Sequence, residues 1–263
     1  METPTLDPKY DIIPIFSSHY STSFSKSILT LDKAEEIKEN KPVSICSIAK
    51  KHDIKQIFLA DSSFSGFQEA YRNITEVGAQ LIFGIKIHIC DDSADKSDKG
   101  RNNDSKLILW ARNQAGYKEL IKIYSNAATK NFYYYPRIDW SELEKISENI
   151  AVWVPFYDSF IFNNLFCHGV SIIPRFGARK VNYCMEEHGL PFDEIVKDGI
   201  EGFAGGEIIK THQVYYYASN NAKSYQVFRA IGNRSTLTKP NLSHFSSNRF
   251  SWESYEKSKN GEL

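Results

Sequence analysis

Cys167 and His168 are the only adjacent pair of soft metal ligands in this chain, and adjacency works against them. Neighbouring residues on a strand point to opposite faces, so one metal ion cannot easily take both. The pair is read as a loop or core pair rather than a catalytic dyad. The other cysteines, Cys46, Cys90 and Cys184, are scattered without a Cys-x-x-Cys spacing. They fit neither a zinc ribbon nor a disulfide framework, and free, mostly buried thiols are expected. The seven histidines, His19, His52, His88, His168, His188, His212 and His244, contain no pair two or four residues apart. Gly205-Gly206, near Gly202, lacks the Gly-Lys-Ser/Thr ending of a phosphate loop and reads as a turn. Asp91 to Ser105 is rich in aspartate, but the spacing is not that of a calcium loop. A mobile, solvated loop over 91–105 is expected. Tyr133-Tyr134-Tyr135 with Arg137 has the residue types that stack on nucleic-acid bases. A packing role, with Arg137 and Asp139 fixing a turn, is the favoured reading.

The elements that must position these residues alternate between strand and helix. Asp11–Phe16 and Gln56–Ala60 are short apolar runs that end in serine-rich turns, as buried strands do. Leu81–Ile89, Lys106–Ala111, Ile150–Val154 and Val214–Tyr217 read as further strands. Helical spacing marks Ser44–His52, Gly66–Glu76 and Ala115–Ala128. Repeated strand–helix units predict a mainly parallel sheet with helices outside it. Functional side chains then belong just past the carboxyl ends of the strands.

Composition narrows the class. The chain has 263 residues, 41% hydrophobic and 24% charged, which is ordinary for a globular protein. Lys+Arg and Asp+Glu both number 32, so no overall charge draws it to nucleic acid or to a membrane surface. No apolar run has the length of a membrane span, and the amino terminus lacks a signal-peptide pattern. A cytoplasmic location is expected, with a single domain over 1–263 and flexible tails at 1–10 and 256–263.

Several segments follow a known pattern in order and spacing. They are Ile15-Phe-Ser-Ser-His-Tyr-Ser21, Ala60-Asp-Ser-Ser-Phe-Ser-Gly66, Phe83-Gly-Ile-Lys86, Leu107 to Ser125, Tyr133-Tyr-Tyr-Pro-Arg-Ile-Asp139, Ile172 to Gly177, Glu187-His-Gly-Leu-Pro191 and Thr211-His-Gln-Val-Tyr-Tyr216. The chain resembles the PHP (polymerase and histidinol phosphatase) domain that opens bacterial DNA polymerase III alpha subunits. The resemblance implies an α/β fold, a distorted TIM-like (β/α)7 barrel. It also implies a cleft at the carboxyl ends of the strands that holds catalytic metal ions.

Set against that pattern, Ile15 and Ser17 stand where the family has histidines, Ser62 where it has another, and Lys86 where it has a glutamate. Phe176, Gln213 and Tyr215 replace a further histidine, an aspartate and the last histidine, while Asp61 is retained. A multinuclear site needs several N or O ligands for each cation, and an ammonium at a ligand position repels the cation. The resemblance therefore implies a non-catalytic, metal-free domain with no cofactor and no catalytic or metal residues. Its cleft would be lined by Ile15, Ser17, Asp61, Ser62, Lys86, Phe176, Gln213 and Tyr215, with Lys86 able to pair with Asp61. The expected function is protein interaction in DNA replication, with a replicative DNA polymerase or another replication protein as partner. The alternative is a divergent phosphoesterase or 3'-5' exonuclease with a reduced site of His19, Asp61 and His212. No polymerase domain is expected beside this one within these 263 residues.

Overall fold

The computed structural model describes residues 10–21, 26–39, 41–98, 105–166, 172–203, 206–232, 235–238 and 245–262. The expectations for Cys167-His168, His244 and the 1–9 tail lie outside them. Eight strands form one sheet: β1 (Ile13–Phe16), β2 (Gln56–Asp61), β3 (Gln80–Cys90), β4 (Ser105–Ala111), β5 (Arg137–Asp139), β6 (Ile150–Val154), β7 (Val181–Met185) and β8 (Glu207–Val214). The hydrogen-bonded order is β2-β1-β8-β7-β6-β4-β3-β5, and β2 also pairs with β3. The order thus returns on itself through seven strands and leaves β5 as an extra strand on β3. This is the distorted TIM-like barrel that the sequence implies. β1 runs parallel to β2 and β8, β7 parallel to β6 and β8, and β5 parallel to β3, whereas β4 runs antiparallel to both β3 and β6. The buried runs Gln56–Asp61 and Ile150–Val154 have no exposed position, as expected for strands covered on both faces.

Helices α1 (Ile45–Lys51), α2 (Phe67–Glu76), α3 (Gln114–Thr129), α4 (Trp140–Lys145), α5 (Phe160–Phe166), α6 (Asp193–Phe203), α7 (Ala222–Gly232) and α8 (Trp252–Lys259) complete the described elements. Several begin where a side chain caps the open backbone N–H groups. Ser44 caps α1 and Asn113 caps α3. Asp139 forms a capping box with Glu142 on α4. Residues 256–259, expected in a flexible tail, instead complete α8. Nδ1 of His52 lies 2.7 Å from Glu256, which ties this last turn to the end of α1.

Two compact units divide the chain. The first holds Gly84–Met185 and Glu194–Lys210, and the second Pro8–Phe83, Glu186–Asp193 and Thr211–Leu263. In the first, the fully buried Arg137 donates to the carbonyls of Asn131, Ser93 and Asp95. This fixes the turn before β5 and the start of the aspartate-rich segment, of which 99–104 lie outside the described residues. Tyr135 stacks on His88 with centroids 3.7 Å apart, so two of the three tyrosines pack, as expected. Tyr134 is the most exposed of the three at 59%, its ring edge to face with Tyr133 at 4.7 Å, and its φ is 63°. A side chain in that left-handed region costs about 1–2 kcal/mol. Tyr134→Gly is therefore expected to stabilise the protein by about 0.5–1 kcal/mol, after glycine's own entropic cost. A rightward shift of the urea midpoint at unchanged slope is the readout, and a leftward shift contradicts it.

Candidate functional site

In the second unit, β1, β2 and β8 lie side by side, all parallel. Ile15 pairs in register with Phe58 of β2 and with Gln213 of β8. Ile15 is completely buried and Gln213 nearly so. Just past β1, Ser17 donates its hydroxyl to the carbonyl of Ala60 at 2.8 Å. Asp61 ends β2 and has no exposed surface. Its Oδ1 accepts the backbone N–H of Ser18 at 2.8 Å, and its Oδ2 accepts the Ser18 hydroxyl at 2.6 Å. The N–H of Ser62 donates to Oγ of Ser21 at 3.1 Å. The only acidic residue retained from the resembled site is thus held by the serine-rich turn that follows β1.

Gln213 is also engaged. Its Nε2 donates to Oε1 of Glu186 at 3.2 Å, and the Thr211 hydroxyl donates to the same oxygen at 2.9 Å. Oε2 of Glu186 lies 2.8 Å from Nε2 of His188, and both side chains are fully buried. Nδ1 of His188 faces the carbonyl of Arg249 at 3.2 Å. The His188 ring stacks on Phe250 at 3.9 Å. Both ring nitrogens therefore face oxygen atoms, one of a carboxylate and one of a backbone carbonyl. Glu186 carries no signal in the sequence analysis. The adjacent Glu187-His188-Gly189 was read as a motif, but neither partner of the buried carboxylate lies near it in sequence. Thr211 is 25 residues away and Gln213 is 27.

Tyr215 follows β8 and stacks with Tyr225, at 5.2 Å, and with Phe250, at 5.5 Å. The alternative trio is placed differently. His19 is exposed and lies against Tyr20. His212 is buried against His188 and Tyr255. Burial, and then the neighbouring His188, hold the His212 ring well below the usual imidazole range, so it is neutral. Among the described residues no three His, Cys, Asp or Glu side chains stand close enough to hold a metal ion, and His19, Asp61 and His212 form no such group.

Lys86 and Phe176 belong to the first unit. Lys86 is buried at 6% exposure. It lies in the middle of β3 rather than near its end, because β3 continues to Cys90 along β4 and β5. Gly84, Lys86 and His88 share one face of that strand. Their register partners are Trp110, Ile108 and Lys106, and Ile108 in turn pairs with Trp153. Trp110 covers Gly84 so closely that a Cβ there would meet Cε3 of the indole at 2.5 Å. Trp110 and Trp153 meet edge to face at 5.3 Å. Register thus places Trp110 and Trp153 on the face that carries Lys86, with Trp110 covering Gly84. Phe176 lies in an irregular segment, its ring 5.4 Å from Trp140 and 6.0 Å from Phe160.

The PHP domain family profile matches residues 38–189. The chain is 25% identical to DNA polymerase III subunit alpha of Campylobacter jejuni over 256 residues, covering 88% of this chain and 20% of that protein. It is 36% identical to the Borreliella burgdorferi subunit over 123 residues, covering 46% of this chain and 10% of the relative. For the Thermus aquaticus subunit the figures are 24% over 199 residues, 70% and 16%. The chain belongs to the PHP domain family. It spans at most a fifth of the length of these relatives.

Proposed function

We propose that this chain is a non-catalytic PHP domain that acts by binding a replication protein, a replicative DNA polymerase foremost. The observation that carries the reading is the use made of Gln213. Where the resembled domain has an aspartate, an amide now donates to Glu186 and offers no anionic oxygen of its own to a cation. Ile15 and the tryptophan-covered face of β3 point the same way, since each gives ligand space to packing. A metal site loses affinity steeply when ligands and the groups that orient them are lost. The relatives are named as DNA polymerase III subunit alpha, so replication is the setting in which a partner is sought. A cytoplasmic location follows from that role. Among the described residues no helix is long and apolar enough to cross a membrane.

The test has two arms. Protein incubated with Mn2+, Zn2+ or Mg2+ is expected to hydrolyse neither a chromogenic phosphate ester nor 3'-labelled single-stranded DNA above the level of Asp61→Ala. It is also expected to co-elute with purified replicative polymerase as a stoichiometric complex. Metal-stimulated hydrolysis abolished by Asp61→Asn, in protein that remains folded, would establish the phosphoesterase or exonuclease reading instead.

A further inference from the structure

Helix α6 keeps one apolar row out of the core. Ile195, Gly199, Gly202 and Phe203 follow the i, i+4, i+7, i+8 spacing of a single helix face. Ile195 is 51% exposed and Phe203 47%. Val196 and Ile200, on the neighbouring face, are buried and hold the helix to the first unit. The row meets α5 at Gly199, where an added Cβ would lie 3.1 Å from Cγ2 of Ile161 and from Cδ1 of Leu165. Leu165, itself exposed, therefore borders the row. A Cβ at Gly202 would meet nothing within 4 Å, so the surface is open beside Phe203. The other border is charged. Glu194, Asp198 and Glu201 follow the i, i+4, i+7 spacing and form a second row beside the apolar one, all three exposed. Lys197 pairs with Glu194 at 2.9 Å. Among the described residues no lysine or arginine pairs with Asp198 or Glu201.

We propose that this strip of α6 and α5 is a docking surface for a basic amphipathic helix of a partner protein. A contiguous exposed apolar row rimmed by polar residues is the usual mark of an interaction site. Gly199 and Gly202 carry no side chain, so the partner's apolar residues can come close to the α6 backbone and pack against Ile195, Phe203 and Leu165. A helix that lays its apolar face on such a row binds through residues at its own i, i+3, i+4 and i+7 positions. Charge selects the occupant. Lysines or arginines flanking the partner's apolar face meet Asp198 and Glu201, whereas an acidic helix or a nucleic-acid backbone is repelled by them. The surface goes beyond the replication role proposed above and does not rest on it.

The probe is a dye-labelled synthetic peptide of about 20 residues, long enough to hold a helix. Leucines line one face of it, and lysines and arginines fill the rest. Fluorescence anisotropy follows its binding to the whole chain at physiological salt. The controls are a scrambled peptide of the same composition and a copy with glutamate in place of every basic residue. The basic helix is expected to bind saturably, and both controls at least about tenfold more weakly. Ile195→Ser and Glu201→Lys should each weaken binding about tenfold while melting close to wild type, since both side chains are exposed. Ile231→Ser, at an isoleucine of α7 that is 71% exposed, should bind the peptide as wild type does. Absence of saturable binding overturns the proposal, as does equal binding of the scrambled or acidic peptide. Wild-type affinity in Ile195→Ser or Glu201→Lys overturns it as well. Concentration-dependent dimerisation of the chain alone, abolished by Ile195→Ser, overturns it too and assigns the strip to a second copy.

Discussion

His188→Leu is expected to destabilise the protein by about 3–5 kcal/mol, the usual cost of stripping one member from a buried charged pair. The substitution leaves Oε2 of Glu186 without its 2.8 Å partner in a place with no access to water. It also removes the contact of Nδ1 with the Arg249 carbonyl and the stacking on Phe250. Glu186→Gln should cost far less, under about 1.5 kcal/mol. The amide keeps an oxygen for the donors of Thr211 and Gln213, and its NH2 can donate to a neutral His188 ring whose other nitrogen still donates to Arg249. Urea unfolding of the two variants separates these cases. Equal losses would mean that the charge of Glu186, rather than its hydrogen bonds, holds the cluster.

The same cluster shows where the sequence was legible and where it was not. Strands β2, β3, β4 and β6 and helices α1, α2 and α3 were readable because their apolar residues recur at the period of the element. β8 was placed too late, at Val214–Tyr217 rather than Glu207–Val214. Its inner end, Thr211-His212-Gln213, is buried and polar. No apolar pattern marks it, and its hydrogen-bond partners come from Glu186 and from β1. β7 was missed for a related reason, being a short strand after an irregular segment. The strand read over Leu81–Ile89 agrees with β3 and already holds Lys86, but its register with Ile108 of β4 places Lys86 inside the strand rather than at the end where the cleft was expected. The substituted ligand positions were visible as residue types. What each new side chain does, such as Gln213 donating to Glu186, is set by contacts over long sequence distances.

Asp61 is where the two functional readings make opposite demands, and Asp61→Ala is expected to cost about 3–5 kcal/mol in stability. The variant deprives both the buried N–H and the hydroxyl of Ser18 of their acceptors, each a charge-assisted hydrogen bond of 2.8 Å or less. Asp61→Asn should fall between wild type and Asp61→Ala. Its carbonyl still accepts the Ser18 N–H, and the Ser18 hydroxyl can turn to accept from the amide, but the negative charge is gone. If Asp61 is purely structural, the ranking wild type, Asn, Ala appears in urea unfolding and nowhere else, and no metal-dependent hydrolysis accompanies it. If Asp61 still holds a metal, Asp61→Asn loses hydrolysis as completely as Asp61→Ala while remaining folded, because an amide is a much poorer ligand than a carboxylate for a hard cation. Stability measured with and without Mn2+ adds a readout independent of turnover. A ligand that binds only the folded state raises its stability, so a saturable, Asp61-dependent increase with Mn2+ would contradict the structural reading even in the absence of measurable catalysis.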